Sequence, residues 1–151
     1  NREAQQKFGD ELLKYVMPNV EQHYRVLATR ENRAIAGLSM GAGQTLAVAP
    51  TNLDKFAWIG VWSGGVNAPQ EADFLSRNAA FFAKPEQTNR QVKLLWVGVG
   101  SNDTLAGAGT RNLDRILKEK GIQHEFHESE GGHTWINWRN YLTEFAPKLF
   151  Q

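Results

Sequence analysis

Hydrophobic and polar positions along these 151 residues fall into two periods, one near 3.6 and one of 2. Phe8, Leu12, Tyr15 and Val16 recur at near-helical spacing, which predicts a helix from Phe8 to about Tyr24 that Pro18 ends or kinks. Arg25 to Arg33 is a polar connection, and Arg33 to Leu38 is a short apolar strand. Met40 to Val48, rich in small residues and helix formers, reads as a helix closed by Pro50 and Asn52. Phe56 to Trp62 is apolar on both alternating faces, with Phe56, Trp58 and Trp62 on one and Ala57, Ile59 and Val61 on the other. A strand of that kind belongs inside a sheet covered on both sides. Val92 to Val99 repeats the pattern, with Leu94 and Trp96 opposite Leu95 and Val97.

Glu71 to Phe82 and Leu105 to Lys120 are predicted helices, the second stopped by Gly121. Ile122 to Glu128 is a more polar strand, expected near a sheet edge. The last helix is predicted from about Thr134 to Phe150. Its buried stripe is Trp135, Trp138, Leu142, Phe145 and Leu149, and Pro147 disturbs its final turn. A helix followed by four strand–helix units means an α/β fold with a mainly parallel sheet. Right-handed crossovers are expected to put helices on both faces, and ligands to bind beyond the carboxyl ends of the strands.

Composition narrows the function classes. The net charge is +1 with no block of lysine and arginine, which removes the footprint of a nucleic-acid binder. No apolar run approaches the roughly 20 residues of a membrane-spanning helix. There is no cysteine, so disulfides and thiolate catalysis are excluded.

The chemistry lies just after the predicted strands. Gly37-Leu38-Ser39-Met40-Gly41 matches Gly-x-Ser-x-Gly between a strand and a helix, the context in which a sharp turn projects a nucleophilic hydroxyl. The helix that follows aims its N–H groups at the reacting carbonyl oxygen, and Met40 N–H is the expected oxyanion donor. Asp103, in the loop after the third strand, either orients an imidazole or caps the helix beginning near Thr104. Asp54 and Asp114 are weaker acids for that role: the first lies at the wrong end of the sheet, and the second is expected to be solvated in mid-helix. His133 follows Gly131-Gly132 after the last strand and is the candidate general base. His23 sits near a helix end. His124 and His127 lie on the polar strand, expected solvated, and His124, Glu125 and His127 are not expected to share a metal because adjacent strand positions face opposite ways. The order Ser…Asp…His is that of an α/β-hydrolase.

Gly37 to Gly41 followed by Gln44-Thr45-Leu46, then Phe56 to Gly65, resembles the esterase family that includes the feruloyl esterases and acetyl xylan esterases of the first carbohydrate esterase family. Gly131-Gly132-His133-Thr134-Trp135, with Trp138-Arg139, Leu142 and Phe145, resembles the C-terminal signature of that family. The resemblance runs from about Phe8 to Phe150. It implies a three-layer α/β-hydrolase fold, a Ser39–His133–Asp103 triad, Met40 in the oxyanion hole, and a substrate pocket bordered by Ser63 and Gly64. It gives Trp62 as either a substrate contact or core, Trp135 and Trp138 as core rather than sugar platforms, and Gln44 a structural role.

By the same resemblance the substrate is a feruloyl or acetyl ester of a plant polysaccharide, hydrolysed without metal or organic cofactor by a secreted or periplasmic protein. A siderophore esterase, a sugar acyltransferase or a carbohydrate-binding module on a dead hydrolase scaffold are the alternatives. Family domains are longer and begin with additional strands. The expectation is therefore that residues 1–151 are the C-terminal part of a single esterase domain whose N-terminal part is its partner. That part would supply the strand beside the nucleophile strand and the second oxyanion donor.

Overall fold

Parallel strands in the order β1 (Ala34–Leu38), β2 (Trp58–Trp62), β3 (Leu94–Gly100) and β4 (Glu125–Ser129) form the sheet of this computed structural model, which describes residues 2–151. All five residues of β2 are buried, whereas β4 is half-buried and lies at the edge, as its polarity predicts. The helices are α1 (Arg2–Glu11), α2 (Met17–His23), α3 (Met40–Val48), α4 (Glu71–Arg77), α5 (Ala79–Ala83), α6 (Pro85–Gln91), α7 (Gly107–Glu119) and α8 (Trp135–Phe145).

The helices divide unequally between the two faces. Leu46 and Val48 of α3, Phe74 of α4, Phe81 of α5 and Leu113 of α7 share one core with Ile35, Ile59, Val61, Leu95 and Val97, and α1 adds Phe8. Across the sheet, Trp138, Tyr141 and Phe145 of α8 pack on Trp62 and Trp96. Each strand is laid beside the one before it, so crossovers of one hand all fall on one face. The helices before β1 join that same face, and α8, after the last strand, covers the other. In that aromatic core, the Trp62 ring meets Phe145 nearly edge-on at 5.7 Å and Trp96 at 6.3 Å.

Several elements depart from the sequence reading. Pro18 neither ends nor sharply breaks the first helix. Instead Leu12–Val16 widen into a π-helical turn in which Met17 N–H reaches back five residues to Leu12 O. Pro18 then follows directly on that widened turn, within an unbroken helical run to His23. The predicted helix Glu71–Phe82 breaks at Asn78, whose side chain donates to Phe74 O at 2.9 Å alongside its own backbone N–H at 3.1 Å. α6 has no apolar stripe to read, and is held by buried Thr88 bonding Phe81 O at 2.7 Å. Phe56 joins the Ile59 side of the core because the strand begins only at Trp58.

In α8 the buried positions are Asn137, Trp138, Tyr141 and Phe145, while Trp135 is 71% and Leu142 54% exposed. The helix stops at Phe145, and Pro147 sits in a 3-10 turn beyond it. Asp114 and His124 are not solvated. The His124 side chain is 4% exposed, with Nε2 2.9 Å from Asp114 Oδ1 and Nδ1 2.8 Å from Ile122 O. His127 stacks on Trp96 at 4.4 Å.

Candidate active site

The carboxyl ends of all four strands meet at one edge of the sheet, and each is followed by a residue of the site. After β1 the chain turns sharply at Ser39, with φ 54° and ψ −116°, directly into α3. The turn needs glycine behind it, since a Cβ on Gly37 would lie 2.1 Å from Gly41 O. Ser39 N–H donates to Trp62 O at 2.9 Å, tying the elbow to β2. Met40 is the first residue of α3, where backbone N–H groups have no acceptor within the helix and the helix dipole is positive. Gly64 backs the elbow, because a Cβ there would sit 2.5 Å from Ala42 Cβ and 2.8 Å from Ser39 O.

Asp103 stands after β3, its side chain fully buried. Its two oxygens do different work. Oδ1 accepts the N–H groups of Leu105 at 3.1 Å and Ala106 at 2.8 Å, and Oδ2 accepts His133 Nδ1–H at 2.9 Å. Burial pushes this carboxyl up. The Ala106 N–H and the hydrogen bonds from His133 and Ser63 outweigh it and hold the group below its ordinary value.

His133 is carried by a loop anchored on both sides. Ser101 N–H bonds Ser129 O at 2.7 Å and Asn102 N–H bonds Gly131 O at 2.8 Å, which stitches the His133 loop to the Asp103 loop. Gly131 supplies the positive φ of 92° that this path requires. Asn137, buried at the start of α8, donates to Glu130 O at 2.7 Å and Ser129 Oγ at 2.9 Å, and accepts Thr134 Oγ1–H at 2.7 Å. With Nδ1–H committed to a carboxylate, Nε2 is left as the acceptor, and Ser39 Oγ lies 2.8 Å from it.

The fold thus brings together Ser39, Asp103, His133 and Met40. A cleft of about 200 Å3 opens beside them, bordered by Ser63, Gly64, Gly65, Asn67 and Leu105. Three positions change or decide an expectation. Trp62 is 6% exposed within the aromatic core, so it is packing and not a substrate contact. Ser63 borders the cleft but is fully buried, and its Oγ accepts Trp138 Nε1–H at 3.0 Å. Trp135, expected in the core, is exposed at the first residue of α8, where its ring meets only the outer edge of Trp138, edge-on at 5.1 Å. Asn137 carried no sequence signal beyond being polar in an otherwise apolar stripe. Among the described residues no group of three or more His, Asp or Glu side chains is placed to hold a metal, and no helix is long and apolar enough to cross a membrane.

Comparison with known proteins gives a family, and solved structures give the same fold. Residues 1–149 match the family model named Esterase, described as "Putative esterase". An endo-1,4-beta-xylanase/feruloyl esterase of Xylanibacter ruminicola is 28% identical over 147 residues, which is 97% of this chain and 18% of that protein. A ferulic acid esterase of Anaeromyces mucronatus, solved in complex with ferulic acid, superposes with a TM-score of 0.78 at 23% identity, over 95% of this chain and 54% of its own. The feruloyl esterase module of Clostridium thermocellum, complexed with sinapinate, gives 0.77 at 22% identity, over 97% and 59%. The chain therefore spans somewhat more than half of those solved chains and a smaller part of the xylanase/esterase.

Proposed function

The chain belongs to the Esterase family, and we propose that its Ser39, His133 and Asp103 hydrolyse a carboxylic ester in two steps. The observation that carries this reading is the continuous line of hydrogen bonds from hydroxyl to imidazole to carboxylate, 2.8 Å and 2.9 Å long. His133 Nε2 takes the Ser39 proton as Oγ bonds to the acyl carbon. The resulting oxyanion forms against Met40 N–H at the positive end of α3. His133 passes the proton to the alcohol oxygen as its bond to the acyl carbon breaks, leaving acyl-Ser39. Water, deprotonated by His133, then attacks the same carbon. The bond to Ser39 breaks, the acid departs and Ser39 recovers its proton. Ester and water become acid and alcohol, and the cycle balances without a metal or an organic cofactor.

A second oxyanion donor comes, in this reading, from further polypeptide of the same domain that pairs with β1. Ser39 N–H bonds to β2, so the odd-numbered residues of β1 face inward, and the N–H and C=O of Ala34, Ala36 and Leu38 point away from the sheet. An apolar groove of about 580 Å3, lined by Leu12, Met17, Leu27, Ile35, Phe56 and Phe150, runs beside this edge. The extra length of the related solved chains is consistent with a strand there.

For the substrate we propose a feruloyl or acetyl ester on a plant polysaccharide. The names of the relatives support this, as does exposed Leu105, which offers apolar surface to an aromatic acyl group at the cleft. The test is hydrolysis of methyl ferulate and of acetylated xylan by the intact protein, with fluorophosphonate labelling in parallel. Ser39→Ala should abolish both hydrolysis and labelling. Undiminished hydrolysis in that variant removes the assigned nucleophile.

A further inference from the structure

Most polar groups around the cleft beside Ser39 are already committed to protein partners. Ser39 and His133 are bonded to one another, and His133 to Asp103. Ser63 Oγ accepts Trp138 Nε1–H at 3.0 Å, and the residue is fully buried. The N–H groups of Leu105 and Ala106 are taken by Asp103. Gly64 O accepts Thr110 Oγ1–H at 3.2 Å, and Gly109 O accepts Val66 N–H at 3.0 Å. The Asn67 carboxamide is different. It borders the cleft, is exposed, makes no capping bond at the short helical turn that follows it, and bonds no other described residue. Its oxygen lies in a notch left by Gly109, where a Cβ would stand 2.7 Å from Oδ1. An amide offers an acceptor and two donors. Among the side chains bordering the cleft outside the triad, that of Asn67 has this capacity unspent.

Resting on the reading that the acyl group occupies this cleft, we infer that Asn67 determines specificity, its carboxamide hydrogen-bonding a hydroxyl on an aromatic acyl ring that lies against Leu105. Ligand clefts fix orientation with a few placed polar groups among apolar ones. Leu105, 80% exposed, supplies the apolar part. A sugar carries a hydroxyl on most of its carbons and needs a polar partner for each one it buries, whereas a phenolic ring with a single hydroxyl needs only the amide. An acetyl group has neither ring nor hydroxyl and gains nothing from Asn67. Between feruloyl and acetyl esters, Asn67 therefore favours the hydroxylated aromatic one. Water competes for the exposed amide, so the discrimination is modest. The ring hydroxyl is remote from the reacting carbon and is held alike in ground state and transition state, so the effect falls on KM.

Methyl p-coumarate and methyl cinnamate differ by that hydroxyl alone. The intact protein should prefer the first in kcat/KM. Asn67→Ala should cut the preference roughly threefold to tenfold, through a higher KM for methyl p-coumarate rather than a lower kcat. Gly109→Ala keeps Asn67 but pushes its amide out of the notch, and should cut the preference in the same direction. It replaces a helical glycine with a better helix former, so thermal melts should show it folded. A merely structural role for Asn67 would lower turnover of both esters alike and leave their ratio unmoved. Ser39→Ala is measured alongside with p-nitrophenyl acetate. If it stays as active as the parent, the triad reading fails and this inference with it. If it is inactive while the parent shows no preference for methyl p-coumarate, or while folded Asn67→Ala and Gly109→Ala keep the parental preference, ester hydrolysis stands and the role of Asn67 alone is overturned.

Discussion

Asp103 shows how one side chain can satisfy two readings of a sequence. Capping the segment before α7 and orienting His133 looked like alternatives, and the carboxylate meets both, one oxygen for each. Asp103→Asn should therefore keep much of the loop geometry but lose the charge that sets the imidazole tautomer. The expected fall in kcat is on the order of ten-thousandfold, read with any ester the parent hydrolyses. The same carboxyl has a pH signature. Its value in the folded protein is held below the ordinary one, chiefly by the Ala106 N–H and His133 against the opposing effect of burial. A depressed carboxyl contributes stability that is present above the unfolded value of about 3.9 and is lost as pH falls through the lower folded value. Urea midpoints should accordingly drop more steeply between about pH 5 and about pH 2 in the parent than in Asp103→Asn. Equal slopes would show that this carboxyl contributes little to acid unfolding.

At the scale of elements, legibility followed local physics. The elbow was readable because Gly37 is required by backbone contacts only four and five residues away, whereas a Cβ at Gly41 would meet only the Gln44 side chain at 4.0 Å. Gly37→Ala places a Cβ 2.1 Å from Gly41 O, a clash with backbone that cannot rotate aside. It should lower stability by roughly 3 kcal/mol or more in chemical denaturation, or prevent folding. The buried strands were readable from their two apolar faces, and the end of α7 from Gly121, whose φ is +70°. The break at Asn78 was not, because a side chain capping a carbonyl leaves the apolar spacing intact. Nor was the phase of α8. Leu142 and Tyr141 both continue an apolar series from Trp138, and only the sheet decides that Tyr141 packs against Trp96. Ser63 and Asn137 stayed hidden for a related reason, since their partners are distant in the chain. Asn137→Ala strips the His133 loop of its bonds to Glu130 O, Ser129 and Thr134. It should cost on the order of 2 kcal/mol in the same denaturation and lower activity, the loop being the carrier of the base.

At the scale of the molecule, strand order decides what is left uncovered. Local patterns do not record which strand neighbours which, so the one-sided placement of the crossover helices emerges only in three dimensions, whereas the open outer side of β1 was expected from the family resemblance. The accessible surface is 8749 Å2 for a mass of 17.0 kDa. A compact monomer of that mass exposes about 7,700 Å2, leaving an excess of about 1,000 Å2. Part of the exposed surface is apolar and contiguous with the open edge, where Val16, Val20, Val26 and Leu27 line the groove beside β1. An unpaired strand edge flanked by apolar side chains is a template for another chain. The 151-residue polypeptide by itself should therefore self-associate, with a weight-average mass in sedimentation that rises with concentration. Ala36, exposed on β1, is the position at which a charge opposes edge pairing without entering either core. Ala36→Lys should shift the polypeptide toward monomer while leaving its thermal midpoint nearly unchanged. A polypeptide that is already monomeric at every concentration would mean that the edge is protected by the groove's own side chains, and that no second strand is needed to cover it.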